Sequence, residues 1–185
     1  MARLKGFEKL TPVEDALQTF FEKIKLEKME AVSVPIQSAL NRVTAENIIA
    51  ENDLPHSDRS AVDGYVVKAK DTFGASQFKP RTLRLSESME IGSDEAKPIW
   101  TGNPLPEGAD AVVMLVYAKR LDGEVEVWLP ITPGENVSKR GEDVRRGEVA
   151  VKVGTRLKPH HLGLLAALGL ADVSVAKKPK VAVLS

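Results

Sequence analysis

The densest polar stretch of the chain is Pro55-His56-Ser57-Asp58-Arg59-Ser60-Ala61-Val62-Asp63-Gly64-Tyr65. It places two carboxylates, a guanidinium, serine hydroxyls and an imidazole in one loop, the kind of segment on which sites tend to sit. The same residues also suit a plain turn, because Asp63 can bond its own backbone and Gly64 supplies positive φ. A second candidate runs from Gly134 to Gly147, where Lys139, Arg140, Arg145 and Arg146 flank Glu142-Asp143. It reads either as a solvated, self-neutralising charge run or as an anion site beside a metal-binding carboxylate. The second reading rests on the planar fork that Arg presents to phosphate and on the preference of Mg²⁺ for carboxylates plus substrate phosphates. A third candidate is Trp100-Thr101-Gly102-Asn103-Pro104-Leu105-Pro106-Glu107-Gly108-Ala109-Asp110, whose Gly and Pro make a rigid turn. There Thr101 either offers its hydroxyl and N–H to an oxyanion or simply closes a strand.

Other chemistries are excluded. His160 and His161 are adjacent, so they cannot chelate one metal as an i, i+4 pair would; a surface or capping role is expected. The sequence carries no G-x-G-x-x-G, Walker loop, H-E-x-x-H or G-x-S-x-G pattern. The absence of cysteine removes disulfides, thiolate zinc sites, iron–sulfur clusters and thiol nucleophiles. With 26 Lys+Arg balancing 26 Asp+Glu, the chain lacks the basic excess of a general nucleic-acid binder, though a local anion site remains open. No apolar run approaches the roughly 20 residues that span a bilayer. Met1–Lys5 lacks the apolar stretch of a secretory signal. A cytoplasmic protein without membrane or nucleic-acid partners is expected.

The elements that must position these residues follow from periodicity. Val13, Ala16, Leu17, Phe20, Phe21 and Ile24 form one apolar stripe at helical spacing, opposite Glu22, Lys23, Lys25 and Glu27. Thr11 and Glu14 suggest a capping box, with Pro12 at the first helical position. Val32–Ile36 reads as a short strand, Ile48-Ile49 closes the next segment, and Glu51–Arg59 reads as a loop. Short strands are expected at Tyr65–Val67, Arg81–Leu85, Ala111–Tyr117 and Glu124–Leu129. Asp122-Gly123 between the last two is a type I′ hairpin signal. Val149, Val151 and Val153 alternate. A helix opens at Pro159 and closes at Gly169 in the C′ role, and Val173 and Val175 form a strand. Lys180-Val181-Ala182-Val183-Leu184 reads as the first buried strand of a parallel α/β sheet. This ending suggests the front part of a longer protein; the alternative is a terminal strand that joins an existing sheet.

Three segments, in order, carry a family resemblance. Asp58-Arg59-Ser60-Ala61-Val62-Asp63-Gly64-Tyr65 resembles a D-N/R-S-A-M/V-D-G-Y-A motif. Thr101-Gly102-Asn103-Pro104-Leu105-Pro106-Glu107-Gly108-Ala109-Asp110-Ala111-Val112-Val113 resembles T-G-A-P-x-P-x-G-A-D-A-V-V. Gly134-Glu135-Asn136 with Arg140-Gly141-Glu142-Asp143 resembles G-x-N-x-R-x-x-G-E-D. Together they are similar to the MoeA proteins of bacteria and archaea and the gephyrin E domain, the molybdopterin molybdenumtransferases, over nearly the whole chain. Val62 stands for the commoner Met, Asn103 for the commoner Ala, and His56-Ser57 for Pro-Phe or Gly-Phe.

The resemblance implies an α+β, β-rich fold. A small discontinuous α/β domain (31–50 and 148–178) would carry an inserted mainly-β domain (51–147). The N-terminal helix (1–30) and a first strand (179–185) would belong to a further α/β domain that binds molybdopterin. In relatives the helix packs on that domain, so its stripe is expected to lack cover here. The implied activity lies in molybdenum cofactor biosynthesis: molybdate is inserted into adenylylated molybdopterin with Mg²⁺, releasing AMP. This chain alone is expected to be inactive. The implied partners are a second copy, as a homodimer, and molybdopterin adenylyltransferase. The alternative is a non-catalytic dimerisation or scaffold module of the gephyrin type. By match to the family's motifs, Asp63, Thr101 and Asp143 are the expected catalytic residues. Asp58, Ser60, Gly102 and Arg140 are expected to bind substrate, and Asp63 and Asp143 to hold Mg²⁺.

Overall fold

A strand buried along its whole length, Gly64–Val67, explains why Tyr65-Val66-Val67 reads as an apolar run. The computed structural model describes residues 11–24, 28–181 and 183. In chain order the elements are α1 (Val13–Lys23), β1 (Ala31–Pro35), β2 (Ile48–Ile49), β3 (Arg59–Ser60), β4 (Gly64–Val67), β5 (Arg81–Leu85) and β6 (Glu95–Ile99). They continue with β7 (Ala111–Met114), β8 (Ala118–Arg120), β9 (Glu124–Val127), β10 (Val137–Ser138), β11 (Val149–Val151), α2 (Pro159–Ala167) and β12 (Asp172–Ala176). The molecule is α+β and β-rich.

Strand β4 lies inside a mixed six-stranded sheet of order β7-β4-β6-β5-β9-β8, in which only β5 and β6 run parallel. Successive strand side chains face opposite ways, and both faces of β4 are covered. Tyr65 and Val67 join Leu83, Ala96, Val113, Val125 and Val127 in one cluster. Val66 joins Ile91, Ile99 and Val112 in another. Each such fully buried aliphatic side chain contributes about 1.5–3 kcal/mol relative to exposure. A 3-10 turn at Leu115–Tyr117 links the edge strands β7 and β8, and Trp128 N–H bonds Tyr117 C=O at 3.2 Å, extending the β8–β9 pairing by one rung.

A second core unites segments far apart in sequence. Strand β1 pairs with β12, and β2 with β11, both antiparallel. Helix α2 lays Leu165 on Ala39, Ile48, Val151, Leu157, Val173 and Val175. The buried Thr44 hydroxyl donates to Lys152 C=O at 2.7 Å and accepts from Thr155 N–H at 2.9 Å, pinning this unit. Helix α2 opens as its sequence suggests: His161 Nδ1 accepts Lys158 N–H at 3.0 Å, so this histidine caps its own helix. At the other end Gly169 (φ 82°) takes C′, with Gly169 N–H to Ala166 C=O and Leu170 N–H to Leu165 C=O, a Schellman motif.

Three expectations are corrected. Helix α1 has no capping box: Pro12, with extended ψ of 149°, is itself the N-cap and no side chain caps the helix. The helix thus starts one residue later than the box requires, which leaves Thr11 outside and moves Glu14 off the third position. The Asp122-Gly123 turn connects β8 to β9, because the run from Ala111 ends as a strand at Met114. It is not type I′: Gly123 has positive φ (73°) and Asp122 does not, whereas that turn needs both. Strand β6 was not expected, since Lys97-Pro98 is a poor strand signal.

The apolar stripe of α1 is uncovered; none of its residues is buried, and Val13, Phe20 and Phe21 are more than half exposed. Lys25 and Glu27 of its polar face lie outside the described residues. In the expected C-terminal strand, Ala182, Leu184 and Ser185 also lie outside them, and Val181 and Val183 are exposed and in no strand.

Candidate functional site

Asp63 is placed by the register of the large sheet. Gly64 begins β4 opposite Ile99 of β6 and Met114 of β7. A Cβ at Gly64 would stand 1.9 Å from Val113 C=O, so only glycine lets the strands close here. The Gly64–Ile99 pairing brings Asp63 beside the chain leaving β6. There Thr101 donates both its N–H (2.8 Å) and its hydroxyl (2.7 Å) to Asp63 Oδ1. These two bonds, the backbone one first, hold the Asp63 carboxyl below its ordinary value by favouring the charged form. Both Thr101 donors are therefore spent on Asp63. In this geometry Thr101 orients a carboxylate, whereas the sequence suggested donation to an oxyanion.

Gly102 follows with φ 87° and donates its N–H to Ser60 C=O at 2.8 Å. Ser60 is buried, with its hydroxyl bonded to Val62 C=O. It braces the turn that leads to Asp63 and does not stand open to a ligand.

The basic loop reaches the same strand from the other side. Strand β10 pairs with β3 (Val137 to Ser60, Ser138 to Arg59), and Asn136 Nδ2 donates to Val112 C=O at 2.8 Å. Past β10 the chain is held by two carboxylates. Asp58 accepts Lys139 Nζ and Arg140 N–H, each at 2.8 Å. Asp53 accepts Arg140 Nε–H at 2.6 Å and Arg146 N–H at 2.9 Å. Both carboxyls lie below their ordinary value, Asp58 mainly through Lys139 and Asp53 mainly through Arg146 N–H. Asp143, in mid-loop, bonds Leu54 C=O through its N–H at 3.0 Å. Its carboxylate meets Arg59 Nη2 at 3.7 Å, both side chains being well exposed. Such a long exposed pair contributes at most about 1 kcal/mol, so Asp143 stays open to a ligand.

The structure thus gathers the candidates around β3. Residues 102–105 bond one edge of the 58–60 stretch, through Gly102 to Ser60, Ser60 to Asn103 and Leu105 to Asp58; β10 bonds the other. Asp63 with Thr101 stands at one end of the segment 58–63. Asp58 with Lys139 and Arg140 stands at the other. The chain between them can extend no more than about 17 Å. Asp63 and Asp143 keep separate partners. Among the described residues no three His, Asp or Glu side chains form a metal-binding group. Asp53 is absent from the sequence-derived site because its partners lie 87 and 93 residues away, a distance at which no local spacing betrays a contact.

Comparison with known proteins places the chain in a family. Residues 11–169 match the family model described as MoeA N-terminal region (domain I and II). A Methanocaldococcus jannaschii protein named for molybdopterin biosynthesis is 43% identical over 175 residues, 93% of this chain and 44% of its own length. The molybdopterin molybdenumtransferase of Staphylococcus aureus is 34% identical over 182 residues, 94% of this chain and 43% of its own. The crystal structure of a molybdopterin biosynthesis MoeA protein from Pyrococcus horikoshii matches with a TM-score of 0.83 and 38% identity, over 92% of this chain and 47% of that one. The chain therefore spans less than half the length of these relatives.

Proposed function

The chain belongs to the MoeA N-terminal-region family, and on that premise we propose that it is the front part of a molybdopterin molybdenumtransferase. The enzyme would insert molybdate into adenylylated molybdopterin and release AMP, in molybdenum cofactor biosynthesis. The observation that carries this reading is the arrangement around β3: an ionised, oriented Asp63 at one end and a cation-rich loop bearing Asp143 at the other. Both substrates are anions. Arg59 and the outer nitrogens of Arg140 can meet phosphate or molybdate oxygens. Asp63, with Oδ1 fixed by Thr101, can take or return a proton at Oδ2 as molybdate replaces adenylate.

Mg²⁺ takes hard oxygen ligands and usually keeps water and substrate phosphates among them. The open Asp143 carboxylate fits that demand, with Asp63 Oδ2 as a second ligand in the alternative where it holds the ion instead of handling a proton, so the site is one or two carboxylates and not a protein cage. When bound, the ion would supply positive charge to the phosphoanhydride being broken. The same reading includes a cytoplasmic homodimer that receives adenylylated molybdopterin from molybdopterin adenylyltransferase. The uncovered stripe of α1 is the one observation favouring the second reading, a non-catalytic scaffold module.

The test mixes this chain with the portion of the Pyrococcus horikoshii protein that it does not cover and follows molybdate-dependent AMP release from adenylylated molybdopterin. Activity in the mixture, and in neither part alone, supports the enzyme reading. An assembled but inactive mixture favours the scaffold.

A further inference from the structure

The carboxylate of Asp53 does something that neither the motifs nor the charge pattern assigns. It lies on a two-stranded ribbon that joins the two cores: Ala50 N–H bonds Glu148 C=O, Gly147 N–H bonds Ala50 C=O, and Leu54 and Val144 bond each other in both directions. From there Asp53 grips both ends of the 140–146 loop at once, Arg140 by its Nε–H and Arg146 by its backbone N–H. Its side chain is only 19% exposed, while that of Arg140 is 66% exposed. A Cβ on Gly141 (φ 69°) would stand 3.4 Å from Asp53 Oδ1, so the loop is folded closely over the carboxylate. Asp143 rides in the middle of this loop, held otherwise by one backbone bond and the long Arg59 pair.

We propose that Asp53 is a positioning residue of the site, acting through Arg140 and Asp143 without touching substrate; this rests on the functional reading given above. Its grip on Nε fixes the guanidinium of Arg140 while leaving the outer nitrogens for an anion. Its grip on Arg146 N–H closes the loop and so limits where Asp143 can stand. Small misplacements of such groups cost far more in rate than in fold stability.

The experiment is a double-mutant cycle in the reconstituted AMP-release assay. Asp53→Asn keeps an oxygen for Arg146 N–H but removes the charge opposing Arg140. It is expected to lower kcat about tenfold, a loss of the size that misorientation produces, with the protein still cooperatively folded at the assay temperature. In an Arg140→Ala background, which lacks the guanidinium that Asp53 holds, the same change, measured on the residual rate, is expected to cost less than about twofold, because residues acting as a unit are non-additive. Full activity in Asp53→Asn, or an equal loss in both backgrounds, overturns the proposal. A fully active Asp143→Asn overturns the site reading and this inference with it. A silent Asp53→Asn beside an impaired Asp143→Asn overturns this inference alone. If Asp53→Asn does not fold, Asp53→Glu keeps the charge but displaces it by a methylene, and the same non-additive loss is expected.

Discussion

The two ends of the β3 segment hold their carboxylates by different physics. Asp63 is fixed by neutral donors, the N–H and hydroxyl of Thr101, on a scaffold set by the register of the large sheet. Asp53 and Asp58 are fixed by backbone N–H groups together with Lys139 and Arg140, between short two-stranded pairings outside the large sheet. All three carboxyls are pushed the same way, toward the charged form. The difference teaches that one end draws its precision from the core, whereas the other draws it from a few exposed ionic contacts. The first should respond to packing changes and ignore salt; the second should do the reverse.

The largest effect is expected from Gly64→Ala. Its Cβ would overlap Val113 C=O, forcing β4 from β7 at a cost of about 3 kcal/mol, readable as a lower urea midpoint. Removing one carboxylate charge at Asp53 should leave that midpoint close to the parent's, because exposed ionic contacts add little to stability. Equal losses would erase the distinction between the two ends. Next is Thr101→Val, which removes the hydroxyl bond and keeps the backbone one. The Asp63 carboxyl should then titrate closer to its ordinary value of 3.8 by NMR, and AMP release in the reconstituted enzyme should fall about tenfold.

A smaller effect separates the ends by salt. At about 1 M NaCl the screening length shrinks to about 3 Å, so amide hydrogen exchange should quicken at Arg140 and Arg146 while Thr101 N–H stays protected. Equal responses would mean that the loop is not held ionically. The smallest effect is acid sensitivity. Asp53, Asp58 and Asp63 each have a folded-state carboxyl below the ordinary 3.8. Their contribution is therefore fully present above that value and is lost as pH falls through the depressed folded ones. The urea midpoint should decline below about pH 4, and Asp58→Asn should soften that decline.

Much of the scaffold was legible from single segments. Tyr65–Val67 and Arg81–Leu85 read as strands because each short run sits between turn residues, and α2 because Pro159 and Gly169 mark both ends. Strand β6 was not, because Lys97-Pro98 lacks strand propensity and is held by neighbours on both sides. Within the site, the residue types at Asp63, Thr101 and Asp143 were legible as candidate chemistry. Their partners were not. That Thr101 spends both donors on Asp63 follows from sheet register, and that Asp53 anchors Arg140 follows from a contact across 87 residues. Local spacing carries neither fact. Ser60 shows the converse, a hydroxyl that looks available in the sequence but is enclosed by its own turn.

We propose that the oriented carboxylate of Asp63 serves molybdate-dependent release of AMP. Single-turnover AMP release by the reconstituted protein, parent against Asp63→Asn, tests it most directly. The exchange keeps the shape and leaves an oxygen to accept from Thr101, while removing the charge and the capacity to take a proton. A fall of about a hundredfold or more is expected, in the range typical for loss of a general acid–base group, with the protein still folded at the assay pH. An Asp63→Asn protein that releases AMP at the parental rate would contradict it.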